Sequence, residues 1–373
     1  MNGREFTSEK LANAISDIGE TIVEPSAWPI VMDKISGAIG ATGAFLIQAD
    51  VRTPDVPRTA SLCDFVDDYF RHGWHTRDVR AARGAPLLLS GHSVVVDQDI
   101  LTKEEIAREP LYNECNLKHG LAWFAGIKVW TGQALWAMAI QRSVNAGPFS
   151  ETEKGLLGTL SRPLSDAASL SALMGYTAIN SATNALGVVG EAAIAIGRKG
   201  EVLGTNSAAE MLFDQEFFVV GRRLRIKDSE ANREFQDLSD RLTSSSDTEP
   251  LRATPIIVRR TGKAPLVLRE FPIHGAARTP FLGARSLLIC AATDQSTTFD
   301  PSLLSRVYGL TQAEARVAVM IAAGKSVEEV ASHLRLSRGT ITTQLKAVFQ
   351  KTDVHRQSEL VALLARFRDY GYR

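Results

Sequence analysis

Apolar residues recur along this chain with two periods, about 3.6 and 2, and the switching between them divides it into sections. Between residues 26 and 150 the two interleave. "SAWPIVMDKISGAIG" carries a helical stripe with Ser26 placed to cap it, and "GAFLIQAD" reads as a strand. "SLCDFVDDYFRHGW" predicts a second helix, and "APLLLSGHSVVV" predicts a strand, a turn and a strand. "TKEEIAREPLYNEC" opens with a capping box of Thr102 and Glu105. "LAWFAGIKVW" and "ALWAMAIQ" predict a hairpin of central strands about the Thr131-Gly132 turn. Residues 1–150 thus predict an α+β sensor-like domain.

A second capping box, Ser150 with Glu153, opens "SETEKGLLGTLSRPLSDAASLSALMG", a connecting helix over 151–185. Its Leu156, Leu160, Leu164 and Leu170 suit a packing or dimer seam, and Pro163 should kink it. Residues 186–295 repeat the α+β theme on a smaller scale. "AAIAIGRKGEVLGTNSAAEMLF" predicts strand, Gly turn, strand and a helix capped near Asn206. Beyond the polar "TSSSDTEP" come the strands "TPIIVRR", "PLVLREFPI" and "RSLLICAA", the first two joined at Thr261-Gly262-Lys263. "TDQSTTFDPS" is the expected linker.

From Pro301 to Arg373 every helical segment is punctuated. Thr311 with Glu314 and Ser326 with Glu329 form capping boxes, Gly324 stops one helix, and Ser337 caps another. The fold class expected is multidomain α+β, with antiparallel-sheet sensor domains followed by an all-α four-helix helix-turn-helix domain at 301–373.

Bulk composition restricts function less than local charge does. Lys plus Arg equals Asp plus Glu at 42 each, so net charge names no partner. Three distant cysteines form neither a CxxC pair nor a disulfide framework, which fits a reducing cytoplasm. No apolar run reaches the roughly 20 residues of a membrane span. Between Pro301 and Arg373, however, eleven Lys and Arg face six Asp and Glu, a net +5 on a neutral chain. A basic end suits phosphate contact.

Within that end, "SVEEVASHLRLSRGTITTQL" has the layout of a helix-turn-helix. Val330, Ala331 and Leu334 face inward on its first helix, and Ile341 and Leu345 on its second. The second helix then turns Gly339, Thr343, Lys346 and Gln350 outward, with Thr342 on the shoulder. Gly and Thr lower helix propensity, so something other than propensity chose them. A major groove about 12 Å wide takes slender side chains that hydrogen-bond, and Thr adds a methyl for thymine.

Residues 308 to 365 resemble the LuxR-type DNA-binding domain. The likeness runs through Leu310-Thr311, Glu314, Val317, Gly324, Ser326, Val330-Ala331, Leu334, Ser337, Thr340-Ile341, Leu345, Lys351, Val354 and Glu359-Leu360. The resemblance implies that Thr342, Thr343 and Lys346 face bases, while Arg338, Thr340, Gln344 and Lys351 face phosphate. It also implies that "RQSELVALLARF" is a fourth helix that pairs two copies. The family usually has Lys where Thr342 stands and often His where Gln344 stands, so base preference does not carry over.

The middle section resembles a PAS domain through "AIGRKGEVLGTNSAAEMLF" and the three late strands. The first section resembles, more loosely, GAF and autoinducer-binding domains, which enclose a small molecule between a sheet and helices. Aromatic residues concentrate there, and Tyr69, Trp74, Asp78, Trp123 and Trp136 are the candidate ligand contacts. Trp74 and Asp78 are similar in spacing to the Tyr and Asp of acyl-homoserine-lactone receptors, with Val79 where a Pro usually follows. Asp78 serves equally as the cap of "VRAARG".

Catalytic signatures are missing: no P-loop, GxSxG elbow, HExxH or dinucleotide fingerprint occurs. His72 and His75 alone make a weak metal pair, and no cofactor is expected. The leading expectation is a cytoplasmic, ligand-responsive, homodimeric regulator without a receiver domain, partnered by double-stranded DNA, a small-molecule effector and RNA polymerase. Its rivals are a regulator whose terminal helices bind the transcription machinery instead of DNA, and a sensor-linked enzyme.

Overall fold

The computed structural model describes residues 8–50, 53–244, 254–293 and 300–365. Its first α+β unit is built on strands β1 (Gly43–Gln48), β2 (Val94–Val96), β3 (Leu121–Trp130) and β4 (Leu135–Ser143). They form one antiparallel sheet in the order β1-β4-β3-β2. Successive residues of a strand point to opposite faces, and here both faces are buried. Leu46, Ile127 and Met138 point to one core, beneath helices α1 (Ser8–Ser16) and α2 (Trp28–Ala38). Phe45, Phe124 and Ala139 point to the other, beneath α3 (Cys63–Arg71) and α4 (Val79–Leu89).

Two local expectations change. Ser26 does not cap α2; Glu24 accepts the Ser26 N–H and O–H in a turn that leads into the helix. The strand expected over "APLLL" is instead the end of α4. Its buried stripe is Arg80, Gly84 and Leu88, a helical spacing that hydropathy hides because two of the three are not apolar.

Helices α5 (Glu151–Gly158) and α6 (Ser161–Val188) form the connection. The break falls at Thr159-Leu160, and Pro163 causes no kink because it occupies the first turn of α6, where an N–H would have no partner inside the helix. Leu160 and Leu164 are buried and Leu170 is exposed, so the expected leucine seam covers only its first turns. Farther along, α6 buries Ile179 against the second sheet.

That sheet contains β5 (Ala192–Gly197), β6 (Val202–Thr205), β9 (Ile256–Arg260), β10 (Lys263–Pro272) and β11 (Ala284–Ala292), in the order β6-β5-β11-β10-β9. The strands β7 (Phe217–Val220) and β8 (Arg223–Ile226) and the helix α7 (Ser229–Ser244), all unforeseen, close its core. Gly221 and Arg222 both have positive φ in the two-residue β7-β8 turn, the backbone a twisted hairpin favours. Most of "TSSSDTEP" and of the linker "TDQSTTFDPS" lies outside the described residues.

The last unit comprises α8 (Pro301–Tyr308), α9 (Gln312–Ala322), α10 (Val327–Leu334), α11 (Arg338–Thr352) and α12 (Gln357–Ala365). Leu310, Val317, Ile321, Val330, Ile341, Leu345 and Leu360 share its core. Both expected capping boxes form, and Ser337 accepts the Thr340 N–H at 3.1 Å. Among the described residues no helix is long and apolar enough to cross a membrane.

Asn206 is a buried junction of four backbone bonds. Its amide donates to Thr183 O and Glu191 O, both at 2.8 Å, and its carbonyl accepts from Ala193 N and Ala209 N. Asn206→Ala strands all four groups and should lower stability by roughly 3 kcal/mol. A shift in the urea midpoint measures this; a loss under about 1 kcal/mol would mean that water replaces the amide.

Candidate nucleic-acid interface and sensor cavity

Helix α11 separates two kinds of surface. Ile341, Leu345 and Val348 are buried, while Arg338, Gly339, Thr340, Thr342, Thr343, Lys346 and Gln350 are exposed. Thr342 and Thr343 donate their hydroxyls to the carbonyls of Arg338 and Gly339, at 2.9 and 3.0 Å. They therefore show methyl groups and oxygen lone pairs to the outside. A Cβ built on Gly339 would meet only Ser337 Oγ, at 3.7 Å, so internal packing does not require a glycine there.

The other residues expected on this face differ in freedom. Arg338 Nε lies 3.0 Å from Glu328, an exposed pair of the kind worth about 0–1 kcal/mol that phosphate can readily replace. Thr340 shares a hydrogen bond with Ser337. Gln344 is half-buried, and its Oε1 has no donor among the described residues. Lys351 Nζ is 2.7 Å from Glu314, whose carboxyl it holds below the usual range together with the Thr311 N–H. Lys351 thereby fastens the end of α11 to the capping box of α9.

The turn between α10 and α11 passes through Arg335, a non-glycine residue at φ 56°. Its N–H closes the last turn of α10, which sets the direction in which α11 leaves.

In the first unit, a cavity of about 50 Å³ lies between the sheet and α4. Small residues create it: Ala81, Gly84 and Ala85 on the helix face Gly126, Ala137 and Ala139 on the sheet. Its polar end is Tyr69, Asp78 and Arg80. The Tyr69 hydroxyl donates to Asp78 at 2.7 Å, and Arg80 Nε and Nη2 reach the same carboxylate at 3.2 and 3.0 Å. Asp78 also caps α4 through the N–H groups of Arg80 and Ala81. Burial works against its charge, but Arg80 and then Tyr69 more than offset this and hold its carboxyl below the ordinary range.

A second buried acid lies beyond Arg80. Asp97 accepts from the Tyr112 hydroxyl and from Phe124 N, yet burial pushes its pKa up to about 6. Sequence reasoning missed Arg80 and Asp97. The available signal was Arg80 itself, placed two residues after a capping acid.

Of the five expected ligand contacts, only Tyr69 and Asp78 line the cavity. Trp74 is buried in the same core but outside the lining, with the Arg77 guanidinium 4.0 Å from its ring centre. Trp123 and Trp136 pack into the opposite core. Trp28 and Trp136 each stand edge-on to Phe281 of the second unit at 5.2 Å, so Trp136 serves a joint between units.

No curated protein matches the chain at a significant level. Among solved structures, the chain is similar to a phage VqmA described in complex with DPO, at 15% identity over 52% of this chain and 91% of that one, with a TM-score of 0.23. It is also similar to the E. coli DhaR(N)-DhaL complex, at 11% identity over 79% and 91%, with a TM-score of 0.22. Scores this low establish no shared fold. Residues 309–364, which span α9 to α12, match the model of bacterial regulatory proteins of the luxR family. The chain therefore carries at its carboxyl-terminal end the LuxR-type helix-turn-helix domain of a DNA-binding transcription regulator.

Proposed function

We propose that this protein is a homodimeric one-component regulator that inserts α11 into the major groove of its operator and responds to a small effector held in the first unit. The observation that carries the reading is the two-sided α11. Its Ile341, Leu345 and Val348 are fixed in the core, and Thr342, Thr343 and Lys346 stand together outside. In this arrangement those three read bases, and Arg338, Thr340, Gln344 and Lys351 approach phosphates, Lys351 after exchanging its Glu314 partner. The rival reading, a protein-binding face, is disfavoured because this surface offers hydroxyls and an ammonium in place of an aromatic anchor.

The effector site is the cavity beneath α4. At about 50 Å³ it is far smaller than the roughly 300 Å³ of ordinary ligand pockets, so binding must displace the flanking helix. An apolar molecule with one polar group fits the lining, which ends at Tyr69, Asp78 and Arg80. The PAS-like reading of residues 186–295 is supported by their antiparallel five-stranded sheet, with helices and the β7-β8 hairpin between its early and late strands. Dimerisation through α6 is supported by its exposed Leu170, Leu173 and Met174, which repeat at helical spacing on one side.

Three measurements test these parts separately. Lys346→Ala and Thr343→Ala should each weaken specific operator binding about 10-fold or more, with unchanged thermal unfolding. Lys346→Ala should also flatten the dependence on salt. Unchanged footprints for both variants would remove α11 from the groove. Ala137→Leu fills the cavity, so small molecules that raise the Tm of the parent should leave the variant unmoved; equal stabilisation of both would place the effector elsewhere. Leu173→Glu should sediment as a monomer, and a dimer of parental strength would exclude α6 as the seam.

A further inference from the structure

The apolar cavity beneath α4 borders a buried amide that has spare hydrogen-bonding capacity. Leu135, Ala137 and Ala139 line the cavity from alternate positions of β4, and Gln141 is the next residue on that face. Gln141 is fully buried, and its Oε1 accepts from Arg80 Nη1 at 3.4 Å. A guanidinium has only donors, so Arg80 fixes which end of the amide is the oxygen. The other end, Nε2, is buried with no acceptor among the described residues. A buried donor left in this state costs roughly 1–3 kcal/mol, and Leu or Met would fill the position without it.

The charged groups beside Gln141 are already served. Asp78 accepts from the Tyr69 hydroxyl, from Arg80 Nε and Nη2, and from the N–H groups of Arg80 and Ala81. Asp97 accepts from Tyr112 and from Phe124 N. Arg80 and Asp78 balance in charge, and Asp97 is close enough to feel both. An anionic ligand would therefore meet two acids and one cation that is already paired, and a cationic ligand would find the Asp78 oxygens taken. The open capacity is a pair of amide protons, which call for an uncharged acceptor. A hydroxyl would bring a proton of its own to be satisfied, whereas a carbonyl oxygen brings two lone pairs and no proton.

Phe124 is the part of the lining that can yield. It stands opposite Gln141 on β3, and its ring leans along the strand to lie across Gly126, where a Cβ would come within 2.8 Å of Phe124 Cζ. The Arg80 guanidinium lies 4.9 Å from the centre of the same ring. Turned to another rotamer, the ring would leave bare glycine backbone beneath it and widen the cavity of about 50 Å³ toward Gln141.

We infer that the effector is an uncharged molecule with a carbonyl oxygen, which turns the Phe124 ring off Gly126 and accepts from Gln141 Nε2 and Arg80 Nη1. This rests on the reading of the cavity as the effector site and adds to it the chemical class of the ligand. Gln141 is then the residue that sets specificity: it rewards an acceptor, and a hydrocarbon of the same shape would leave its amide stranded.

The test titrates the full chain with four probes built on one ring: acetophenone for the carbonyl, toluene for no polar group, benzoate for an anion and benzamidine for a cation. Thermal unfolding and calorimetry at matched ionic strength are the readouts. Acetophenone should raise Tm saturably and bind at least ~10-fold more tightly than the other three. Gln141→Leu removes the donor, and Gln141→Glu removes it while keeping an acceptor for Arg80. Each should weaken acetophenone at least ~10-fold and leave toluene unchanged, a loss of selectivity that mere loosening of the core would not produce. Should one of the two fail to fold, the other carries the comparison. Ala137→Leu should end the binding of every probe that acts on the parent. Acetophenone no tighter than toluene or benzoate, parental selectivity in a folded Gln141 variant, or no shift from any probe overturns the carbonyl assignment. Equal stabilisation of Ala137→Leu and the parent instead overturns the cavity reading on which it rests.

Discussion

Both sheets of this protein lean on the same helix. The 28 residues of α6 form a rod of roughly 42 Å, whose early turns bury Leu164, Ala167 and Ala168 against the first sheet and whose later turns bury Ile179 beside the second. A shared helix cannot be repacked at one end and remain indifferent at the other, because interiors are close-packed and shift between discrete arrangements. Ser171, in mid-helix, reinforces this through a buried hydroxyl contact with Thr279 at 2.7 Å. Asn206 ties the distal end of α6 to the second sheet through Thr183 O. Movement in the first unit therefore reaches the second through a solid connection.

The joint beside that helix is built from unlike materials, and this gives it its character. One part is aromatic, with Phe281 held edge-on by Trp28 and Trp136. The other is ionic, with Asp55 among Arg198, Arg278 and Arg285. Apolar contact is non-directional and tolerates sliding, whereas a buried ion cluster has strict geometric demands and penalises partial engagement. A joint of this kind has few intermediate states. The proposed DNA-binding function needs such behaviour, because the spacing of two recognition helices either fits a pair of half-sites or misses it.

How much could be read beforehand depends on the range of each interaction. The capping boxes at Thr102, Ser150, Thr311 and Ser326 formed as expected because every partner lies within three residues. The β3-β4 hairpin and the inward faces of α10 and α11 were legible from period alone. Helix α4 was not, because Arg80 and Gly84 occupy its buried positions. The placement of Trp123 and Trp136 was also hidden. When both faces of a sheet are buried, alternation says that neighbours part company but not which face encloses a cavity. The Asp55 cluster gathers positions 55, 198, 278 and 285, a separation that no local pattern encodes.

The outward face of α11 owes its chemistry to a constraint inside the helix. A Thr hydroxyl has one proton, and in Thr342 and Thr343 it goes to the carbonyl four residues earlier. Each side chain is thus held in one orientation, with its methyl and its lone pairs outward. At Thr342 and Thr343 this face accepts hydrogen bonds and makes apolar contacts; the donors beside them include the Lys346 ammonium, the Gln350 amide and, at the start of the helix, the Arg338 guanidinium. Placed in a major groove, it suits the exocyclic amines of adenine and cytosine and the methyl of thymine, while Lys346 suits the paired acceptors of guanine. In the proposed docking, Lys in place of Thr342 would add a donor and a second charge, and so would demand a different edge from a base placed beneath it. On that proposal the missing charge at position 342 bears on sequence preference more than on affinity, because phosphate contacts by the other basic residues of this end position the helix without reading sequence.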